Sequence, residues 1–289
     1  MQESDHIIIP KRPRLTIRIA GGTMSFSAID VTAVNQIEYE PYPLRTGIST
    51  AANLREAFKA GITQNNDGHV SEILKKNWQR ALVMLDTPVL LVPIDEYFEE
   101  QDEESDKRDS TLYNHALTGH ENDAILSTVL TTLNAVALFS INKDLKMVLN
   151  DHFEDIKYTP LCAPVWNNLY RRSFTGQRRK LYVYFHEKKM EVFSFLQNRF
   201  RFCNNFEANH TQDCVYFILY VWKQLGMDQQ KDELHMVGTI PERETLLEEL
   251  RKYLQNAYII NPTADFNRAP ITNIKGIPYD LMTMYLKGR

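Results

Sequence analysis

Alternating apolar and polar positions near the start of the chain predict three successive strands between residues 14 and 42. The segments are LTIRIA, MSFSAID and VNQIEYEPY, and Gly21-Gly22 separates the first two. Alternation with a period of two is typical of half-buried strands, and two glycines permit the positive φ of a tight hairpin turn. The pattern therefore predicts a three-stranded β-meander.

A second meander is predicted by KLYVYFH, KMEVFSFL and RFRFCNNF, with turns at Glu187-Lys188 and Gln197-Asn198. Setting Leu15 against Leu181 aligns the two meanders without a gap. The aligned apolar pairs are Ile17 with Val183, Ile19 with Phe185, Met24 with Met190, Ile29 with Phe195 and Val34 with Phe200. An internal duplication explains this match. Two unrelated meanders remain the alternative, because apolar alternation aligns easily with itself.

The other periodic segments predict the helices and strands that follow each meander. In the first half the predicted helices are Thr50 to Ile62, capped by Ser49 or Thr50, a short helix within Val70 to Trp78, and Lys143 to Phe153. The predicted strands of this half are RALVMLD, PVLLVPIDEY and IKYTPLCAPV, with strands or a hairpin around Thr131 to Asn134. In the second half they are a helix capped by Thr211 and ended by Gly226, a strand at ELHMVG, a helix from Pro241 to about Leu254, a strand at NAYIIN and a short helix within Ile277 to Leu286. The pattern predicts an α/β protein with mixed sheets.

Composition and charge exclude several classes of function. The 289 residues are 43% hydrophobic, which suffices for a conventional core, and 33 basic against 37 acidic residues give a net charge of −4. No global field therefore attracts nucleic acid or an anionic membrane. No apolar run approaches the roughly 18 residues of a membrane helix. Three cysteines without CxxC spacing suit a reducing compartment, and acidic residues precede the short run Ile7 to Ile9, so we expect a cytoplasmic protein without membrane insertion.

The segment HMVGTIPERETLLEELRKYL resembles the strand, glycine turn and helix with which actin-like ATPases contact adenosine. Val237-Gly238-Thr239 keeps one of the two glycines that this superfamily usually carries, and Pro241 stands near the expected start of the helix. The order of meander, helix, insertion, second meander, helix, glycine turn and helix is also similar to this superfamily over most of the chain. The chain resembles an uncharacterised bacterial family of actin-like proteins, a domain of unknown function that is distantly similar to the actin-like components of pilus and secretion machines.

This resemblance implies a duplicated, RNase H-like fold of the actin-like ATPase type, with two subdomains around a cleft. The first half is expected at residues 1–165, with an insertion around 90–140. The second half is expected at 166–289, with a C-terminal tail helix that packs back on the first half.

The resemblance also implies a nucleotide site at the first hairpin turn. There the superfamily has Asp-x-Gly-Thr, whose backbone N–H groups and hydroxyl cradle phosphates while the Asp helps to hold hydrated Mg²⁺. This chain has Ala20-Gly21-Gly22-Thr23, so a methyl group replaces the carboxylate, and the second phosphate turn is replaced by His186-Glu187-Lys188-Lys189. We therefore expect a vestigial nucleotide site with no catalytic residue and no metal, consisting of Gly21, Gly22, Thr23, Gly238 and Thr239.

Two functional hypotheses follow. In the first, the chain is a catalytically degenerate actin-like protein, a pseudo-ATPase without a cofactor, which binds a protein partner through the groove between its halves or through the insertion. In the second, it is an ATP-dependent kinase or ATPase that uses ATP and Mg²⁺, with Asp30 or Asp86 as a relocated metal ligand. RNA binding by Arg171-Arg172 and Arg178-Arg179-Lys180 is disfavoured, because no stacking aromatic platform accompanies these residues.

Cysteine and histidine spacings predict no metal centre. Cys203, His210 and Cys214 lack a fourth ligand and the spacing of the usual zinc sites, so buried core thiols are expected. His115 and His120 lie five residues apart in a predicted polar loop and match no recognised motif.

Two further segments receive structural interpretations. The acidic run EEQDEESDKRD, from Glu99 to Asp109, is expected to be a flexible surface segment. The helix from Val215 to Trp222 is apolar nearly all round, which predicts a central buried helix. Neither segment is expected to carry chemistry.

Overall fold

Each half of the chain is built around one five-stranded mixed sheet in the computed structural model, which describes residues 14–30, 36–62, 72–99, 105–197 and 199–286. The chain divides into two units, of which the first ends at Leu161 and the second begins at Cys162. The boundary expected from the sequence lay at residue 165. Within the described residues, none of the helices combines the length and the apolar content that crossing a membrane requires.

The sheet of the first unit consists of β1 (Leu15–Ala20), β2 (Thr23–Asp30), β3 (Gln36–Tyr42), β4 (Arg80–Leu85) and β8 (Asp155–Pro160). Its order is β3-β2-β1-β4-β8, with an antiparallel meander on one side and parallel strands on the other. One face packs against α1 (Thr50–Ile62), α2 (Glu72–Lys75) and α5 (Lys143–His152). The alternation that predicted the strands places Ile17 and Phe26 in this core, where both are fully buried.

The insertion forms a small antiparallel sheet of its own in the first unit. Its order is β5-β7-β6, in which β5 spans Val89–Pro93, β6 spans Ala124–Leu130 and β7 spans Ala135–Ile141. The helices α3 (Ile94–Glu99) and α4 (Ser105–Ala116) accompany it, and Tyr113, Val136 and Leu138 form a separate core. The predicted hairpin is confirmed, with Asn134 at φ 49° in its turn.

The sheet of the second unit consists of β9 (Lys180–His186), β10 (Lys189–Leu196), β11 (Arg199–Glu207), β12 (Glu233–Gly238) and β13 (Ala257–Ile259), in the order β11-β10-β9-β12-β13. On one face, α7 (Thr211–Gln224) and α8 (Arg243–Arg251) cover a core that includes Leu181 and Val183. Alternate residues such as Tyr182 and Tyr184 occupy the other face, to which α6 (Ala163–Ser173) and α10 (Tyr279–Tyr285) contribute. The short α9 (Pro262–Asp265) precedes α10, which packs against α6 of the same unit.

The register of the two sheets confirms the duplication over the first two strands of each meander. Ile19 pairs with Met24 in the first sheet, and Phe185 pairs with Met190 in the second. The turns Gly21-Gly22 and Glu187-Lys188 therefore occupy equivalent positions. Both sheets also continue through two parallel strands in the same order, so the match extends beyond the alternation of apolar residues.

The gap-free alignment is wrong for the third strand. Ile29 pairs with Ile37, whereas its counterpart Phe195 pairs with Phe200. Phe200 therefore corresponds to Ile37, and Val34, with which it was aligned, lies outside the described residues. The reason is that residues 31–35 connect the second and third strands in the first unit, whereas residues 197–198 do so in the second.

One helix was missed by the sequence analysis. The predicted strand IKYTPLCAPV ends at Pro160, and Ala163–Ser173 is helical, so Arg171 and Arg172 lie in the last turn of α6. Pro164 near its start is a helix-start signal, but the apolar run before it favoured a continued strand.

Three other predictions are corrected. The strand at PVLLVPIDEY ends at Pro93, and a helix begins at Ile94. The second part of the acidic run belongs to α4, where Asp109 is buried and accepts a hydrogen bond from Tyr97 at 2.8 Å. The helix α7 is not buried all round, because Tyr216 and Tyr220 are 63% and 48% exposed.

Candidate functional site

A cavity of about 560 Å³ lies in the first unit, at the sheet edge where β1 and β4 end. These strands are parallel, with Ile19 opposite Leu85. The first turns of α1 and α5 also line the cavity. Carboxyl ends of parallel strands and N-termini of helices are the places where α/β proteins usually bind ligands. The cavity is therefore the candidate functional site of the first unit.

The carboxylate of Asp86 lies beside the glycine turn that borders this cavity. Asp86 directly follows β4, and its backbone N–H donates to the carbonyl of Ile19 at 2.9 Å. Its Oδ2 accepts a hydrogen bond from the N–H of Gly21 at 3.3 Å. The Gly21 N–H is a backbone donor of the kind that binds phosphate, and here it donates its hydrogen bond to an acidic side chain of the protein.

The three predicted site residues of this turn lie in different places. Gly21 and Gly22 line the cavity, and Gly22 has a φ of 99°, a conformation that favours glycine. Thr23 does not line it. Thr23 pairs with Ala20, and its Oγ1 accepts a hydrogen bond from Nη1 of the buried Arg18 at 3.3 Å.

A chain of polar side chains forms another part of the cavity wall. The hydroxyls of Thr87 and Ser140 are 2.9 Å apart, Ser140 Oγ lies 3.1 Å from His120 Nδ1, and this nitrogen lies 2.9 Å from Asp123 Oδ2. A nucleophilic triad needs the serine on one ring nitrogen and the carboxylate on the other. Here both contacts involve Nδ1, so this group lacks the geometry of a hydrolase relay.

The helix N-termini at the cavity are capped by the protein's own side chains. Asn142 Oδ1 accepts hydrogen bonds from the N–H groups of Asp144 and Leu145 at 3.0 and 3.2 Å. Ser49 Oγ accepts one from the N–H of Ala52 at 3.1 Å, which confirms the predicted cap of α1. Side-chain caps satisfy donors that otherwise bind anions at a helix start.

The charge of the cavity is negative. Its described lining contains the three carboxylates of Asp86, Asp123 and Asp144, one histidine, and neither lysine nor arginine. Like charges in a partly buried site repel one another more strongly than in water. The cavity as described therefore favours cationic or neutral groups over a free triphosphate.

The equivalent turn of the second unit has no glycine. Glu187 and Lys188 occupy it at φ values of 44° and 61°, which is the backbone of a type I′ hairpin turn. Lys188 is exposed, whereas His186, at the end of β9, is buried.

Gly238 has a structural explanation in the second unit. It ends β12 at a φ of 99°, and a Cβ atom there would lie 2.1 Å from the backbone oxygen of Phe185 and 2.9 Å from Cε2 of Tyr184. The N–H of Thr239 donates to the same Phe185 oxygen at 2.9 Å. The close approach of two strands therefore requires glycine here, whether or not a ligand is bound nearby.

Most of the basic stretch before β9 is engaged within the second unit. Its contacts are Arg172 with Asp265, Arg178 with Glu233 at 3.4 Å, Arg179 with Asp232 at 2.6 Å, and Lys180 Nζ with the carbonyl oxygens of Arg172 and Thr175. Ion pairs of this kind hold the guanidinium groups in the fold and leave them less suited to a nucleic-acid backbone.

The other predicted candidates do not form sites among the described residues. Cys214 lies on the buried face of α7, whereas His210 is exposed. Among the described residues, the group of potential metal ligands contains none of Cys203, His210 and Cys214. His115 lies exposed in the last turn of α4, and His120 lines the cavity. Asp30 lies at the end of β2 opposite to the glycine turn, whereas Asp86 lines the cavity.

Several cavity residues could not be found from the sequence. Asp123, Ser140 and Asp144 belong to no motif and approach the glycine turn only through the folded insertion and α5. The one usable signal was the position of Asp86, an acid directly after a strand parallel to β1.

ATP with Mg²⁺, which the fold implies, does not fit this cavity as described. The Gly21 N–H donates to Asp86, side chains cap the helix N-termini, and the described lining offers no basic group to a phosphate. The arrangement therefore lacks the free donors on which a phosphate cradle depends.

Comparisons with known proteins agree with the fold. A family model described as "Protein of unknown function (DUF3822)" matches residues 2–257. The chain is 25% identical to a Bacteroides thetaiotaomicron protein with an actin-like ATPase fold and unknown function, with a TM-score of 0.76 over 95% of this chain and 96% of that chain. It is 10% identical to a chain of the PilM–PilN type IV pilus biogenesis complex, with a TM-score of 0.54 over 88% and 90% of the two chains. No curated protein sequence matches.

Proposed function

The chain belongs to the DUF3822 family of proteins of unknown function, and from its actin-like ATPase fold we propose a catalytically degenerate protein that acts by binding a protein partner. One observation carries the proposal: the Asp86 carboxylate accepts the Gly21 N–H that a phosphate would need. Phosphoryl transfer depends on positioned donors and metal-bound phosphate oxygens, so an acid in this place opposes it.

The replacement of an acid at Ala20 supports the same proposal. In the superfamily that the chain resembles, an Asp at this place helps to hold hydrated Mg²⁺. Ala20 is buried, 6% exposed, and offers no ligand atom. Binding of nucleotide would therefore need both a new metal ligand and a displaced Asp86.

One structural neighbour occurs in a complex with another protein, which favours a protein partner for the present chain. PilM is found in a complex with PilN in type IV pilus biogenesis. The insertion of the present chain carries exposed apolar side chains at Phe98, Leu112 and Val129. We assign partner binding to this insertion, because exposed apolar side chains bury favourably at protein interfaces.

Nucleotide titration tests the first part of the proposal. A ligand at a hundred times its Kd stabilises a protein by about 2.7 kcal/mol, which a thermal-shift assay detects. We expect no shift with ATP or ADP, with or without Mg²⁺, and no phosphate release. A magnesium-dependent shift with ATP, together with hydrolysis that Asp86→Asn abolishes, would overturn the proposal.

Quantitative co-purification tests the second part. Wild-type protein and a Phe98→Ser/Leu112→Ser variant are compared by crosslinking in the native cell, with Tyr253→Ser, an exposed aromatic of the second unit, as the matched control. We expect the same partner to be recovered with wild type and Tyr253→Ser and to be reduced at least tenfold with the double variant. Equal recovery with all three proteins would contradict the assignment to the insertion.

The alternative function is an ATP-dependent kinase or ATPase in which Asp86 is the relocated metal ligand. The observation that favours it is the position of Asp86 itself, beside Gly21 at the cavity. In that case Mg²⁺ would draw the carboxylate away from the Gly21 N–H and free this donor. The titration above distinguishes the two functions, since only the alternative predicts a shift that requires both Mg²⁺ and Asp86.

A further inference from the structure

Three side chains with metal-binding atoms converge inside the second unit. Cys162 lies just before α6, His186 ends β9, and Glu191 lies on β10. All three are buried, and one ligand atom from each lies within 4.8 Å of the other two. Among the described residues, these three are the histidine, cysteine and carboxylate side chains that lie close enough together to bind one metal ion.

The geometry of the group suits a tetrahedral ion. Cys162 Sγ and His186 Nε2 are 3.7 Å apart. Zinc bonds of about 2.3 Å to sulfur and about 2.0 Å to nitrogen at a tetrahedral angle place these two atoms about 3.5 Å apart. The remaining separations are at most 4.8 Å, so binding of an ion needs a contraction of roughly 1 Å.

The duplicated fold shows that the sheet itself does not require these residues. His186 pairs with Lys189 as Ala20 pairs with Thr23, and Glu191 is the counterpart of Ser25. On this face of the hairpin, the first unit thus has a methyl group and a hydroxyl group, whereas the second unit has an imidazole and a carboxylate. His186 also stands where the first unit has Ala20, at the position of the acid in the superfamily's phosphate turn.

Buried carboxylates are stabilised by positive charge or by hydrogen bonds, and a bound divalent ion supplies positive charge. Glu191 is 9% and His186 is 3% exposed, and the Tyr184 ring is stacked on His186 at 4.9 Å between ring centroids. A divalent ion bound by Glu191 and a Cys162 thiolate would be neutralised by its own ligands. The imidazole adds a neutral ligand.

We propose that Cys162, His186 and Glu191 bind one divalent transition-metal ion of the zinc type, with the fourth position open to water or another small ligand. Thiolate and imidazole are the ligands that select zinc over magnesium or calcium. Three protein ligands with one open position are found in zinc sites that hold an exchangeable ligand. The inference does not rest on the proposed function, because Cys162, His186 and Glu191 are not among the predicted nucleotide-site residues.

Cys203 provides a matched control on the neighbouring strand. It lies opposite Phe193, and its thiol is not part of the group. Burial, and next the charge of Glu191, raise the pKa of Cys203 well above its usual value, so this thiol stays protonated. A Cys203→Ser variant therefore removes a nearby sulfur without removing a ligand.

The experiment titrates the chelator-treated full-length protein with Zn²⁺ and with Co²⁺. Metal content by mass spectrometry gives the stoichiometry, and Co²⁺ reports a thiolate ligand through a sulfur-to-metal charge-transfer band. We expect one ion per chain and a charge-transfer band in wild type and Cys203→Ser. Cys162→Ser should lose the band, and Glu191→Gln, which keeps the shape of the side chain, should bind Zn²⁺ at least tenfold more weakly.

Measurements of folding and stability separate the loss of a metal ligand from the loss of structure in a variant. Far-UV circular dichroism and urea midpoints are measured for each metal-free variant. At one fixed concentration, Zn²⁺ should raise the midpoint of wild type and Cys203→Ser more than that of Glu191→Gln. The proposal is overturned if wild type binds neither ion, or if Cys162→Ser retains the charge-transfer band. In the former case the contact between Cys162 and His186 is a sulfur–nitrogen hydrogen bond.

Discussion

Replacing Gly238 by alanine should strongly destabilise the second unit. The backbone at this residue has a φ of 99°, and an added Cβ would lie 2.1 Å from the oxygen of Phe185 on the adjacent strand. This oxygen also accepts the hydrogen bond from the N–H of Thr239. The methyl group can fit only if β12 moves away from β9, which weakens that bond.

The expected size follows from three contributions. A non-glycine residue at positive φ costs about 1 to 2 kcal/mol, and forcing an extra methyl group into a packed site costs about 1 to 3 kcal/mol. Weakening the Thr239 hydrogen bond adds about 1 kcal/mol. We therefore expect Gly238→Ala to lower the free energy of unfolding by about 3 to 6 kcal/mol, a large part of the stability of an ordinary domain.

Two other glycines separate the effect of φ from the effect of the close approach. Gly226, in the same unit, has a φ of 56°, and Gly22 has the same φ of 99° as Gly238. An added Cβ would meet no atom within 4 Å at either position. Alanine at either place should therefore cost only about 1 to 2 kcal/mol.

Urea unfolding followed by tryptophan fluorescence is the assay. Trp166 and Trp222 are buried in the second unit, so their signals report its unfolding. The reasoning is refuted if Gly238→Ala is no less stable than Gly226→Ala. Such a result would remove the structural explanation for this glycine and would return attention to a ligand at Val237-Gly238-Thr239.

Two further outcomes are expected for the second unit. Tyr184→Phe should destabilise it by about 1.5 to 3 kcal/mol, because the buried Asp280 loses a donor at 2.7 Å. Tyr182→Phe should be neutral or stabilising in the same urea assay, because the buried Tyr182 hydroxyl has no hydrogen-bond partner within the part of the chain that the structure describes. Equal losses in both variants would contradict this. Burial lowers the pKa of His235, although Glu233 opposes the shift. The unfolded chain therefore binds the proton more readily than the folded chain, and the free energy of unfolding should fall as the pH decreases below the ordinary histidine pKa of 6.5. Urea midpoints between pH 7.5 and 5 should depend less steeply on pH in His235→Gln than in wild type. His210→Gln, which replaces an exposed histidine, is the control and should keep the wild-type slope. An unchanged slope in His235→Gln would show that other groups cause the pH dependence of stability.

The fold was predictable where the signal is local. Each strand of the two meanders has its own alternation of apolar residues, and this alternation places Ile17 and Val183 in their respective cores. The helix α6 was not predictable in this way, because the apolar run around Cys162 suits a strand as well as a helix. Short apolar runs are ambiguous until the neighbouring elements decide which face they bury.

The candidate sites depend on contacts between distant parts of the chain. Asp86 reaches Gly21 across 65 positions because β4 pairs in parallel with β1. Cys162 meets His186 and Glu191 only when α6 begins beside the end of β9. Neither contact has a sequence pattern, since sheet order and helix packing bring these side chains together.

The sequence by itself determined the strands, the duplicated hairpins and the loss of an acid at Ala20, because each of these depends on neighbouring residues. Only the tertiary structure decided that the Asp86 carboxylate engages the turn, that Thr23 lies off the cavity, and that a thiol, an imidazole and a carboxylate meet in the second unit. The physical reason is that hydrophobic periodicity acts over a few residues, whereas a site requires side chains from separate elements to converge, and their positions follow from strand register and packing.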